Sequence, residues 1–108
     1  MDRRYKVIVS RRAEQMLTSH VGFLARVSVR AARRLRDEYA GLLEALEQAP
    51  RQFPPLEDAS LPGEYRRALF GKRYAAVFCI EADRVYLDAV LDCRMDNSAY
   101  FGTDDRPG

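Results

Sequence analysis

YRRALFGKRYAAVFCIEADRVYLDAVLDCR, residues 65–94, is the stretch that decides the fold. Together with Glu64 it divides into three strand-like runs, residues 64–70, 74–81 and 84–93, each rich in β-branched, aromatic or small apolar residues. Gly71-Lys72 and Ala82-Asp83 leave room only for tight connections, so the three runs predict an antiparallel meander. Along the last run Val85, Leu87, Ala89, Leu91 and Cys93 alternate with Tyr86, Asp88, Val90, Asp92 and Arg94. That alternation predicts a sheet with one face under helices and a polar-bearing face turned to solvent or a ligand.

Upstream, the helices that would cover the sheet are legible. Residues 5–9 read as a short strand, after which Ser10 is a good N-cap. Ala13, Met16, Leu17, Val21, Leu24 and Val27 then recur at helical spacing. Ser28 interrupts this pattern and caps a second helix, whose apolar stripe is Ala32, Leu35, Tyr39, Leu42, Leu46 and Ala49. Pro50 ends it. A connection this short predicts a helix hairpin with one apolar face. Four prolines between positions 50 and 63 mark a surface loop with a turn at Pro62-Gly63. The order strand, two helices, three strands predicts an α+β domain. The N-terminal strand joins an edge of a mostly antiparallel, four-stranded twisted sheet, and the antiparallel helix hairpin packs on one face.

The chain has 108 residues, so a single domain spans residues 1–108 and holds a sizeable core. Residues 95–101 read as a short last turn and 102–108 as a frayed tail. Two cysteines, Cys79 and Cys93, make no disulfide framework and have no metal-ligand neighbours at useful spacing, which fits packing roles in a reduced, cytoplasmic protein. The longest uncharged run, residues 15–25, is far too short to span a bilayer. No membrane, metal or small-molecule cofactor is implied.

Charge is segregated. The formal net charge is only +2, yet residues 1–36 carry ten basic and two acidic side chains. Residues 37–64 carry one basic and seven acidic, and residues 65–73 carry four basic and none acidic. Of the 18 cations 16 are arginines, whose planar fork suits phosphate and carboxylate. The familiar enzyme motifs are missing: no glycine-rich phosphate loop, no nucleophile elbow, no paired histidines. His20, the one histidine, sits on the more apolar side of the first helix and reads as a packed, hydrogen-bonded residue. What remains is a basic and aromatic set on the sheet: Tyr65, Arg66, Arg67, Lys72, Arg73, Tyr74, Arg94 and, beyond it, Tyr100. Such a set can neutralise phosphates and stack on unpaired bases. It can equally be half-buried sheet tyrosines among solubilising edge charges, and composition does not separate the two.

The order and spacing of these elements, with the helical segments of residues 31–50, resemble the RelE/ParE superfamily of toxins from type II toxin–antitoxin systems, many labelled plasmid stabilisation proteins. The resemblance spans about residues 5–101 and implies a cognate antitoxin that neutralises the chain. RelE-like members are metal-independent endoribonucleases, mRNA interferases that inhibit translation by cleaving mRNA on the ribosome; ParE-like members inhibit DNA gyrase without catalysis. On the RelE-like expectation, which comes first here, Arg94, Tyr100 and Arg66 match catalytic positions. Arg67, Lys72, Arg73, Tyr65 and Tyr74 would then contact RNA. Ala68 and Ala75 depart from that pattern, standing where RelE-like nucleases often have Lys and Arg. The alternatives are a ParE-like gyrase inhibitor and a non-toxic module that only binds an antitoxin.

Overall fold

The computed structural model describes residues 4–56 and 63–95. A short strand β1 (Lys6–Val9) leads into helices α1 (Arg11–Val27) and α2 (Val29–Gln48). A 3-10 turn (Pro50–Gln52) precedes β2 (Glu64–Phe70), β3 (Tyr74–Glu81) and β4 (Arg84–Asp92). No helix among the described residues is long and apolar enough to cross a membrane.

Serines set both helix starts. Ser10 Oγ accepts from the Ala13 N–H at 2.9 Å and Ser28 Oγ from the Ala31 N–H at 3.1 Å. Ser28 is also the whole connection: its own N–H closes α1 by donating to the Leu24 carbonyl at 2.7 Å. The hairpin bends on one extended residue, which leaves Val27 at the corner 78% exposed, outside the apolar stripe its spacing predicts.

The sheet order is β1-β4-β3-β2. β2, β3 and β4 form the antiparallel meander, and β1 joins parallel to β4 with Val9 opposite Leu87. One face carries the main core. Ala13 and Leu35, Leu42 and Leu46 from the helices meet Phe70, Phe78, Ile80, Val85, Leu87 and Val90 from the sheet. β1 is shorter than β4, so the edge of β4 beyond Leu87 has no strand partner. α1 supplies one from its side chains: Ser10 Oγ donates to the Asp88 carbonyl at 3.2 Å, and His20 Nε2 donates to the Val90 carbonyl at 2.8 Å. Unpaired edge carbonyls are thereby satisfied and the edge is covered. At the opposite edge the segment 54–56 lies against β2, with Leu56 N–H donating to the Tyr65 carbonyl and Arg67 N–H to the Pro54 carbonyl.

The simple alternation along β4 does not survive. Phe78 pairs with Leu87 but Val77 pairs with Ala89, so Asp88 is an extra residue in a β-bulge. The bulge switches the phase. Val85 and Leu87 face the helices, Ala89 and Leu91 face away, and Val90 turns back into the main core. The far face is therefore no bare polar surface: Val77, Ala89 and Leu91 are buried there, with Met16, Leu56 and Tyr65 packed against them.

The β2–β3 turn is tight against α2. Gly71 adopts φ +61, where an added Cβ would lie 3.0 Å from Glu38 Oε1, 3.3 Å from Tyr74 Cδ2 and 3.4 Å from Leu35 Cδ1. Gly71→Ala is expected to destabilise the fold by about 1–2 kcal/mol, since a left-handed L-residue and crowding act together. Urea denaturation measures it, and an unchanged midpoint would contradict this account of the turn.

Candidate functional site

Because the bulge returns β4 to the helix face, its last residue points beneath α1. Asp92 is 6% exposed, and it pairs across the sheet with Tyr74. Two residues on, Arg94 folds back on it: its backbone N–H donates to Asp92 Oδ1 at 2.9 Å and its Nη2 to Oδ2 at 3.3 Å. A carboxylate accepting the N–H two residues ahead is an Asx turn, here closed by a guanidinium. It fixes the direction in which the chain leaves the sheet. Burial raises the Asp92 pKa, but hydrogen bonds from the Arg94 side chain and backbone outweigh it and hold the carboxyl below its ordinary value.

A hollow of about 510 Å³ opens beside this turn, walled by Phe23 and His20 of α1, Tyr74, Arg94 and Met95. Phe23 and Met95 are 62% and 63% exposed, so its rim is apolar. Tyr74 forms the floor. Its ring centroid lies 5.2 Å from that of His20 and 5.9 Å from that of Phe70, with the Arg73 guanidinium 6.0 Å above it. Burial raises the Tyr74 phenol above its ordinary pKa, against the pull of Arg73. It stays protonated at neutral pH and is no base.

Asp92 gives a pH signature. Its folded-state pKa is lowered, so the stabilisation is complete above the unfolded value near pH 4 and fades as pH falls through the folded value. Asp92→Asn is expected to cost about 1–2 kcal/mol at pH 7, and the gap to wild type should narrow at pH 3. Urea titrations at both pH values measure it; an equal gap at both would exclude the ion pair as the cause.

The structure brings only part of the sequence-identified set together. Lys72, Arg73, Tyr74 and Arg94 gather at one end of the sheet. Tyr74 is 3% exposed, however, and offers no face to a base. Arg66 lies elsewhere. It faces the helix side of β2, pairs with Phe78, and stands four residues along the sheet from the Tyr74 rung, ~13 Å at strand spacing. Its Nε and Nη2 both bind Glu64 Oε2 at 3.0 Å, and its Nη1 donates to the Phe53 carbonyl at 2.6 Å. Glu64 in turn holds Arg51 at 3.1 Å, and Arg51 donates to the Tyr5 hydroxyl at 2.7 Å. Arg66 thus ties β2 to the 3-10 turn. Burial raises the Glu64 pKa, but the two arginines more than offset it and lower it overall. Tyr65 and Arg67 point to the far face, where Tyr65 packs on the second apolar cluster. Tyr100 lies outside the described residues.

Ala68 and Ala75 are buried at 0% and 2% exposure, one on each face of the sheet. Both cysteines are free thiols. Cys79 is buried, and burial pushes its pKa up, which suits packing rather than reactivity. Cys93 is exposed past the end of β4 and does not take the packing role its alternation suggested. No group of three or more metal-ligating side chains occurs among the described residues.

Two features escaped the sequence reading. One is Asp92 as the partner of Arg94, whose only signal was the Asp-Cys-Arg spacing at a strand end. The other is a groove of about 640 Å³ between the helices, where Leu17 and Val21 of α1 face Tyr39 and Leu43 of α2, with Glu14 and Arg36 at its rim. Periodicity places these residues on apolar stripes but does not show that the two stripes part to leave a groove.

Residues 7–97 match the family model described as ParE toxin of type II toxin–antitoxin system, parDE. Among solved structures the chain is similar to one titled as a chromosomal ParDE toxin–antitoxin system from P. aeruginosa, with a TM-score of 0.66. Identity is 14%, with 82% of this chain and 95% of that chain covered, so this likeness speaks to the fold alone. No curated protein matches the chain in sequence.

Proposed function

Since the chain belongs to the ParE toxin family of type II toxin–antitoxin systems, we propose that it is the toxin half of a two-protein module and acts by binding DNA gyrase. The observation that carries this reading over RNA cleavage is the separate commitment of its two candidate catalytic arginines. An RNase mechanism needs charge neutralisation and proton transfer to converge on one phosphate. Arg66 is instead held by Glu64 and the Phe53 carbonyl, while Arg94 is held by Asp92 at the far end of the sheet. The alanines at 68 and 75 add no functional group between them. A protein that inhibits by binding needs a rigid surface rather than a convergent site, and the internal ion pairs make such a surface.

The inter-helix groove is the seat for the cognate antitoxin. Leu17, Val21, Tyr39 and Leu43 accept apolar side chains, and the rim charges of Glu14 and Arg36 orient the partner segment.

Induced expression without the antitoxin tests the reading. Pulse-labelling should show DNA synthesis stopping before protein synthesis, and the purified chain should inhibit gyrase supercoiling while leaving mRNA intact on ribosomes. Protein synthesis failing first, with cleaved mRNA, would establish the ribonuclease instead. Growth without arrest and no effect on gyrase would leave only the antitoxin-binding module.

A further inference from the structure

The two basic blocks of the sequence meet in space. Arg30, Arg33 and Arg34 line an open surface on the first two turns of α2. Arg34 also shares a hollow with Lys72 and Arg73 of the β2–β3 turn, about forty residues later in the chain. Among the described residues none of these five cations makes an ion pair, although Asp37 and Glu38 stand one turn further along α2. The first turn of α2 carries no acidic residue. A helix N-terminus is already positive, and like charges three and four residues apart repel. Arg30, Arg33 and Arg34 therefore crowd positive charge on the helix start. Asp37 and Glu38, four residues beyond Arg33 and Arg34, offset part of that repulsion but leave Arg30 without such a partner, so helix stability accounts for the cluster only in part.

We propose that this strip is a binding surface for the sugar–phosphate backbone of duplex DNA. Arg30, Arg33, Arg34, Lys72 and Arg73 would each face a phosphate. The strip is open and carries five cations against two carboxylates, those of Asp37 and Glu38, which line the same surface. Its one ring, that of Tyr74, is 3% exposed and cannot stack on an unpaired base, which favours a duplex over a single strand. An acidic protein segment would need several apolar anchors; this surface offers Val29, whereas Leu17, Val21, Tyr39 and Leu43 gather in the groove further along α2. The inference is independent of gyrase, because it concerns the purified chain and DNA alone.

Fluorescence anisotropy with a labelled random-sequence duplex, titrated from 50 to 200 mM KCl, tests it. Five phosphate contacts give a log–log salt slope of about −4.5, or roughly a 500-fold loss of affinity across that range. The triple variant Arg30→Gln, Arg33→Gln, Arg34→Gln should flatten the slope by about 3 and weaken binding correspondingly. Glutamine is a good helix former at these exposed positions, so the variant should melt at or above the wild-type temperature. Lys72→Gln with Arg73→Gln should flatten the slope by about 2. Absence of duplex binding at 50 mM KCl would overturn the proposal, as would an unchanged slope in a folded triple variant. Tighter binding of a single-stranded RNA or DNA of equal length would also overturn it. Displacement of the duplex by an equally charged poly-glutamate at the same concentration would assign the strip to an acidic protein and overturn it too.

Discussion

Phe78→Ala is expected to lower the unfolding free energy by about 3–5 kcal/mol, against a total of about 5–15 kcal/mol for a domain of this kind. Phe78 lies on β3, paired on both sides by β2 and β4, and it is 0% exposed. Among the described residues it is the largest fully buried side chain, touching Phe53 edge-on at a centroid distance of 6.1 Å. Helices lie above it and hydrogen-bonded strands on either side, so the surroundings cannot collapse into the space left by the ring. Lost transfer energy and cavity cost then add. Phe78 also faces the bulge at Asp88, where β4 changes phase. Loosening it would release the register that sends Asp92 toward α1. Thermal melting should drop by roughly 15 °C or more, and Phe78→Leu should recover most of that loss. Near-wild-type stability of the alanine variant would contradict the central placement of Phe78.

Tyr74→Ala should be nearly as damaging, at about 3–5 kcal/mol, while Tyr74→Phe should stay within about 1 kcal/mol of wild type. The ring is the common contact of three elements: His20 from α1, Phe70 from β2 and the Arg73 guanidinium from the turn. Removing it opens the floor of the hollow beside Arg94 and frees Arg73 from its seat. The phenylalanine variant separates structure from chemistry. On the binding mode of action Tyr74→Phe keeps full growth arrest, because inhibition by binding has no step that needs the hydroxyl. Loss of arrest in a folded Tyr74→Phe protein would show that the hydroxyl acts chemically and would favour the ribonuclease. Urea denaturation and growth arrest measured on the same variants give both answers.

Much of the architecture was written locally. Ser10 and Ser28 announce both helix starts because a hydroxyl acceptor at an N-cap is a short-range requirement, met within three residues. Gly71-Lys72 announces its hairpin because glycine accepts the positive φ of a tight turn, and Ala82-Asp83 leaves room only for a two-residue connection. Lys72 and Ala82 also adopt positive φ, which their residue types do not signal. The RelE/ParE resemblance rested on the order of such elements, and the family match and fold agree with it. The site was less legible. Strict alternation puts Asp92 on an open face with Arg94 as a solvent-facing cation. One extra residue, Asp88, reverses that, and a bulge has no reliable local signal because it is set by pairing between strands. Arg66 shows the same gap: the resemblance implied a catalytic cation there, and nothing within a few residues signals the bond to the Phe53 carbonyl that, with Glu64, ties it to the 3-10 turn.

The sequence alone therefore determined the element order, the caps, the turns and the segregation of charge, all consequences of interactions within a few residues of each other. Only the tertiary structure decided which charges stand together. It joined Arg34 of the first basic block to Lys72 and Arg73 of the second, set Arg94 on Asp92, and held Arg66 away from both. The reason is physical: strand pairing and helix packing fix contacts between residues forty or seventy positions apart, and no count along the chain contains them.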